Sequence, residues 1–146
     1  MSAVASIVLA DAQATPVNHT FIPLGPDANG VWWFEDQSVN GQSSIGFNRI
    51  SLQLTRPKSA GAGESSDSRV NRVKIGIHTP KLETLGTNDA GITPAPTVAY
   101  VLRSQTEFIL SERANTQDRK DIRKYAQFLM ADTQVVAMVE SLQSIY

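Results

Sequence analysis

The chain has no cysteine. That excludes disulfides, thiol nucleophiles and cysteine-ligated zinc, and it suits a reducing cytosol. It has only two histidines, His19 and His78, on different predicted strands and without the spacing of a metal site, so no zinc is expected. No apolar run approaches the ~18 residues of a membrane span. The start, MSAVASIVLADAQ, has no basic n-region and soon meets Asp11, so no signal peptide is expected. NHT at 18–20, which fits a glycosylation acceptor, then reads as chance. Catalytic constellations are missing too. GAGES (61–65) has the glycines of a phosphate loop but not its Gly-Lys-Ser/Thr ending, and no G-x-S-x-G elbow occurs. Glu35 and Asp36 are adjacent, so on a strand they face opposite sides and cannot share a proton-transfer site. Neither an enzyme nor a bound cofactor is expected.

What is there is a chain of 146 residues, 41% hydrophobic and 18% charged, which suits one globular domain (1–146) with a real core. Its net charge of −1 hides an uneven distribution. Residues 1–48 hold four acids and no Lys or Arg. Residues 49–81 hold Arg49, Arg56, Lys58, Arg69, Arg72, Lys74 and Lys81 against Glu64 and Asp67, a local excess of five positive charges. Such a segment looks like an electrostatic footprint for phosphate. A solvated strand face with cations guarding an edge would look the same.

The first half alternates short apolar runs with turn clusters. SIVLAD (6–11) and HTFIPL (19–24) read as an N-terminal hairpin within 1–24, and GPDANG (25–30) as a turn. VWWFED (31–36) is an aromatic-rich strand whose Trp32 and Trp33 face opposite sides, which suits packing better than a ligand cage. After the turn SVNGQSS (38–44), FNRISLQLTR (47–56) points Ile50, Leu52 and Leu54 one way, and Arg49, Ser51, Gln53 and Thr55 the other. A Gly/Ser-rich loop (57–68) leads to RVNRVKIGIH (69–78), where Val73, Ile75 and Ile77 alternate with Arg72, Lys74, Gly76 and His78. Residues 79–97 hold three prolines and two glycines and read as a long loop. VAYVLRSQTEFIL (98–110) completes the main sheet (31–110).

The period then becomes helical. Asn115 or Thr116 caps a first helix, with Asp118 in its first turn and Ile122, Tyr125, Ala126 and Leu129 in one stripe. Asp132 or Thr133 caps a second, with Val135, Val136, Val139 and Leu142 inward. The expected fold class is α+β: an antiparallel sheet of five to seven strands followed by two C-terminal helices (115–146) of roughly 11 to 15 residues each. Two such helices thinly cover the apolar face of three strands. A second subunit lending its helices would supply the rest.

If strands 47–56, 69–78 and 98–110 are neighbours, their polar faces merge into one patch: Arg49, Ser51, Gln53 and Thr55; Arg72 and Lys74; Arg103, Gln105 and Glu107. Cations neutralise phosphate, and hydroxyls and amides read base edges. A sheet surface suits looped or single-stranded RNA better than a duplex groove. Two other readings fit the same residues. A cellular sheet-based RNA-binding regulator would remain a small oligomer. A purely structural dimer with a solubilising basic face would show no salt-dependent RNA binding.

Several strings, in order, carry a resemblance. They are ANGV (28–31) before an aromatic strand, TPK (79–81) ending a Lys/Val/Ile strand, the Pro/Gly loop, VAYVLRSQTEF (98–108), a Thr-Gln helix start and the terminal SIY (144–146). Over nearly the whole chain this order resembles the coat proteins of the small single-stranded RNA bacteriophages, the leviviruses. The resemblance implies an intertwined homodimer, in which two five-stranded sheets join and each subunit's helices lie over its partner. It implies assembly of dimers into an icosahedral shell in the host cytoplasm, a virion location, and a 79–97 loop lining the symmetry axes. It implies an inner sheet face that packages single-stranded genomic RNA and, in many members, binds an operator hairpin to repress replicase translation. By position it implies RNA contact for Arg49, Ser51, Gln53, Thr55, Arg72, Lys74, Arg103, Gln105 and Glu107, with Val31 bordering a base pocket. The chain departs from the best-studied members at Arg103, where they place an aromatic residue to stack on a base; a guanidinium plane can also stack.

Overall fold

The computed structural model of the protein describes residues 3–38, 43–83, 86, 91 and 94–145. Among these, six strands are followed by two helices: β1 (Ile7–Ala10), β2 (Asn18–Pro26), β3 (Trp32–Asp36), β4 (Arg49–Thr55), β5 (Val70–Leu82), β6 (Val98–Ser111), α1 (Thr116–Met130) and α2 (Thr133–Glu140). The strands form one antiparallel sheet in the order of the sequence, the α+β layout that the alternation predicts. The conformation of most of the 83–93 stretch, the turn residues 39–42 and the terminal Tyr146 lie outside the described residues.

Register sorts the side chains into two faces. Ile50 pairs with Ile77, Leu52 with Ile75 and Leu54 with Val73, while Arg49 pairs with His78, Ser51 with Gly76, Gln53 with Lys74 and Thr55 with Arg72. Trp33 stands opposite Ser51 and Trp32 opposite Leu52, so the two tryptophans do face opposite ways. The apolar face holds the core of buried Phe21, Phe34 and Ile50, with Ile7 and Leu52 against it. The same face carries a polar clamp. His19 Nδ1 lies 2.7 Å from Oδ2 of the buried Asp36, and its Nε2 lies 3.3 Å from Asp11 Oδ2. The sequence showed no carboxylate at metal spacing beside His19; the hairpin and β3 bring it two.

Two boundaries differ from expectation. β5 continues past His78 through Thr79, Pro80 and Lys81, which the sequence assigned to the loop. The β4 pairing ends at His78, so one side of β5 has no β4 partner beyond it, a position that tolerates proline. α2 has 8 residues, fewer than expected, because Leu142 adopts φ 53. That left-handed conformation ends the helix and takes Leu142 out of the apolar stripe.

Contacts divide the chain into two units, Met1–Pro57 with Asn71–Ile109, and Lys58–Val70 with Leu110–Tyr146. The first holds the sheet just described. The second is pinned by buried Arg69, whose Nε donates to Glu112 Oε2 at 2.5 Å and Nη1 to Glu64 Oε2 at 3.2 Å, while Nη2 donates to the Lys58 carbonyl. α1 starts on a capping box in which the Asn115 side chain accepts from the Asp118 N–H and the Asp118 side chain from the Asn115 N–H. Asp132 caps α2. Neither helix buries a residue within the chain.

Candidate nucleic-acid interface

The polar face of the sheet is hollowed by a cleft of about 510 Å³, lined by Val31, Ser51, Gln53, Lys74, Gln105 and Glu107. These six come from the ten residues singled out in the sequence. Trp33, Ile75, Gly76, His78 and Thr106 complete the lining; of these, the sequence reading set Trp33 and His78 aside as a cage and a metal ligand and named Gly76 only as part of the strand alternation. For Trp33, Gly76 and His78 a signal was available: Trp33 shares a strand face with Val31, and Gly76 and His78 share one with Lys74.

Each wall has a cause. The turn before β3 is organised by Asp27, whose Oδ1 accepts from the Asn29 and Val31 N–H groups at 2.8 and 3.0 Å. Its Oδ2 accepts from the Trp33 indole Nε1 at 3.2 Å. The Val31 backbone bond, followed by the Trp33 bond, holds the Asp27 carboxyl below its ordinary range. One carboxylate thus positions both Val31 and the Trp33 ring. Gln53 Nε2 donates to the Asn29 carbonyl at 3.0 Å and ties β4 to the same turn. The floor is open because Gly76 has no side chain. A Cβ there would overlap Ser51 Oγ and come within 3.1 Å of His78 Nε2.

The charges are more paired than the sequence suggests. Arg49 Nε donates to Glu35 Oε2 at 2.8 Å, and Arg72 Nη1 to Glu107 Oε1 at 3.0 Å. Arg69 is committed to Glu64 and Glu112. Three of the seven cations in 49–81 are therefore neutralised in place, by Glu35, Glu107 and Glu112 from other segments and Glu64 from the loop. Among the described residues, Lys74 and Arg103 of the patch have no ion-pair partner. Thr55 and Arg72 pair across the ladder and line no part of the cleft. Arg49 and Arg103 line a second cavity of about 230 Å³, which shares Trp33 and His78 with the first. The His78 pKa is lowered by burial, then by the charges of Arg103 and Arg49, so the ring is neutral at pH 7. Among the described residues no cluster of three or more His, Asp or Glu side chains is placed to hold a metal ion.

Among the described residues this face thus offers a concave surface of aromatic rings and amides with two cations, Lys74 and Arg103, that have no ion-pair partner. The comparisons agree with a non-catalytic role. Residues 2–146 match the family described as levivirus coat protein. The chain is 46% identical to the coat protein in the virus-like particle of bacteriophage ESE058, covering 99% of this chain and 100% of that one, with a TM-score of 0.89. It is 27% identical to that of bacteriophage NT-214, covering 99% and 100%, with a TM-score of 0.80. The protein capsid of bacteriophage GA shares the fold at 20% identity, covering 97% and 96%, with a TM-score of 0.68. No curated protein matches the chain. The chain belongs to the levivirus coat proteins, a structural and not an enzymatic family, and its place is the virion capsid.

Proposed function

We propose that this coat protein dimerises, assembles as dimers into an icosahedral shell, and packages single-stranded RNA against the polar face of its sheet. The observation that carries the RNA reading is the cleft, where Val31, Ser51, Gln53, Gln105 and unpaired Lys74 converge. Lys74 meets phosphate, the amides and hydroxyl meet base edges, and Val31 gives an apolar border. Arg72 and Glu107 neutralise each other and act by shaping the rim. Assembly is supported by the relatives, whose solved structures are virus-like particles.

Dimerisation is supported by two exposed features. β6 is 14 residues long at the sheet's edge, and an unpaired edge of that length invites another strand. Both helices expose apolar side chains, among them Tyr125, Phe128, Leu129 and Val139. A second copy pairing along β6 and exchanging helices would cover both.

The test is expression in bacteria, followed by electron microscopy and the 260/280 nm absorbance ratio of the same fraction. Round shells with a nucleic-acid spectrum are expected. A small oligomer alone would favour a regulator without a shell, and shells with a protein spectrum would remove the RNA role. Charge reversal should be made at the unpaired cations, Lys74→Glu with Arg103→Glu. Arg72→Glu would instead set a second carboxylate against Glu107. The double variant should assemble shells that lack RNA. Enrichment of one genomic hairpin in wild-type shells would add translational repression to packaging.

A further inference from the structure

β6 is the last strand of the sheet, and one face of it carries charges of both signs. By strand phase Val101, Arg103, Gln105, Glu107 and Ile109 share that face. Glu107 Oε1 accepts from Arg72 Nη1 at 3.0 Å. Among the described residues its Oε2 makes no hydrogen bond, and Arg103 has no ion-pair partner. Val101, Leu102 and Ile109 are exposed apolar residues of the same strand.

A second copy that pairs with β6 antiparallel, about a two-fold axis, has few registers open to it. Residues directly opposite each other face the same side of the sheet, so the axis passes through a residue and not between two. Each register is then defined by the residue that meets its own copy. An axis at Arg103 or at Glu107 sets like charges directly opposite, which is destabilising. An axis at Ser104 puts Glu107 opposite Val101, and an axis at Thr106 puts Arg103 opposite Ile109. An axis at Gln105 puts Arg103 opposite Glu107, once on each side of the axis. The same register puts Val101 opposite Ile109 and, on the other face, Leu102 opposite Phe108 and Ser104 opposite Thr106. Apolar then meets apolar, hydroxyl meets hydroxyl, and each charge meets its opposite. Gln105 also stands beside the middle of Val98–Ser111, so this register uses nearly the whole strand.

We propose that β6 pairs with the β6 of a second copy about an axis at Gln105, and that Arg103 of each copy is held by Glu107 of the other. Glu107 then bridges its own Arg72 and the second copy's Arg103. These charges act as a register lock. An exposed ion pair adds little affinity, so dimers persist when Arg103 is reversed. What the two pairs disfavour is a shift of the axis to Ser104 or Thr106, which leaves each charge without its opposite. Arg103 is thereby assigned to the contact between subunits. The inference rests on the proposed dimer and names the contact that sets its register.

The chain has no cysteine, so a single introduced cysteine reports the axis directly. On the axis it meets its own copy at a Cα separation of ~4.5 or ~5.5 Å, within the ~4.4–6.8 Å of a disulfide. One position away, the two cysteines are offset by about two residues, ~7 Å along the strand, and are out of reach. Arg103→Cys, Ser104→Cys, Gln105→Cys, Thr106→Cys and Glu107→Cys are made singly in the full-length protein, oxidised mildly and run on a non-reducing gel. Gln105→Cys should form the covalent dimer about tenfold faster than the other four. A double-mutant cycle reads the ion pair. Arg103→Gln and Glu107→Gln should each raise the dimer dissociation constant about threefold, and the two together no more than either alone. A maximum at another position overturns the register and leaves the dimer standing. So does a dimer by light scattering that none of the five cysteines cross-links. Additive effects in the cycle overturn the Arg103–Glu107 pair. A wild-type chain that is monomeric by light scattering overturns the dimer itself.

Discussion

Gly76 shows how much one missing side chain decides. Its backbone does not have a positive φ, so alanine fits the strand conformation and improves strand propensity. The space is another matter. The new methyl would displace the Ser51 hydroxyl and press on His78, filling the cleft floor from below. Gly76→Ala is expected to leave the sheet intact, with a stability change within about 1 kcal/mol, and to weaken RNA binding several-fold. Circular dichroism and filter binding on the same preparation check both halves. His19 makes a second residue-scale case. Its hydrogen bonds to Asp36 and then Asp11 raise its pKa. That contribution to stability is full below the ordinary histidine value of ~6.5 and is lost as pH rises through the raised folded value. Asp11 is lowered, by the Val17 backbone first; Asp36 is lowered although burial opposes it, through Ser38 and His19. Their contribution is present above the ordinary carboxylate range and lost as pH falls. The clamp is thus strongest in the mildly acidic window between. His19→Gln should lower the thermal midpoint near pH 6 and flatten its decline toward alkaline pH. An unchanged pH profile would remove the clamp from the stability of the sheet.

Elements were legible where the signal is local. The period-2 runs located β4 and the start of β5 because alternation is a property of neighbouring residues, and the change of period after Ser111 located α1. Of the two caps the sequence offered, Asn115 is the one used, and Asp118, read as a first-turn acid, also closes a capping box with it. Its removal is a direct check: Asn115→Ala should cost about 1 kcal/mol, read as a lower urea midpoint with an unchanged slope. What was not legible depends on partners distant in sequence. Arg69 looked like one more cation of an RNA footprint, yet it is committed to Glu112, 43 positions away. Arg72 looked free and is paired with Glu107, 35 positions away. Strand phase puts Trp33 and His78 on the polar face, but that their rings come within 5.6 Å of each other depends on the pairing of β3, β4 and β5, which nothing local reveals. Ser51, Gln53, Lys74, Gln105 and Glu107 were legible as one face for the opposite reason, since strand phase is local, whereas Val31 entered only through the resemblance.

At the scale of the whole molecule the telling quantity is how little apolar surface the single chain hides. Among the described residues only Phe21, Phe34 and Ile50 are buried hydrophobics, whereas Val139 is 71% and Leu142 87% exposed. A chain of this length ordinarily buries about two-thirds of its unfolded surface, and each large apolar side chain left in water forgoes roughly 1.5–3 kcal/mol. Neither α1 nor α2 buries a residue among those described, and the proposed dimer would give their apolar side chains a cover. This makes a prediction about assembly and not about local helix stability. Phe128→Asp with Val139→Asp places charges on two exposed helix positions, where a monomer should tolerate them at little cost, within about 0.5 kcal/mol each. In a dimer that buries these helices the same charges would be desolvated without partners, at several kcal/mol. The double variant should consequently fail to form dimers and shells, detected by light scattering and electron microscopy, while Lys120→Asp on the charged part of α1 leaves assembly intact. Normal shells from the double variant would show that the helices stay exposed in the capsid, and the cover for the apolar face would have to come from elsewhere.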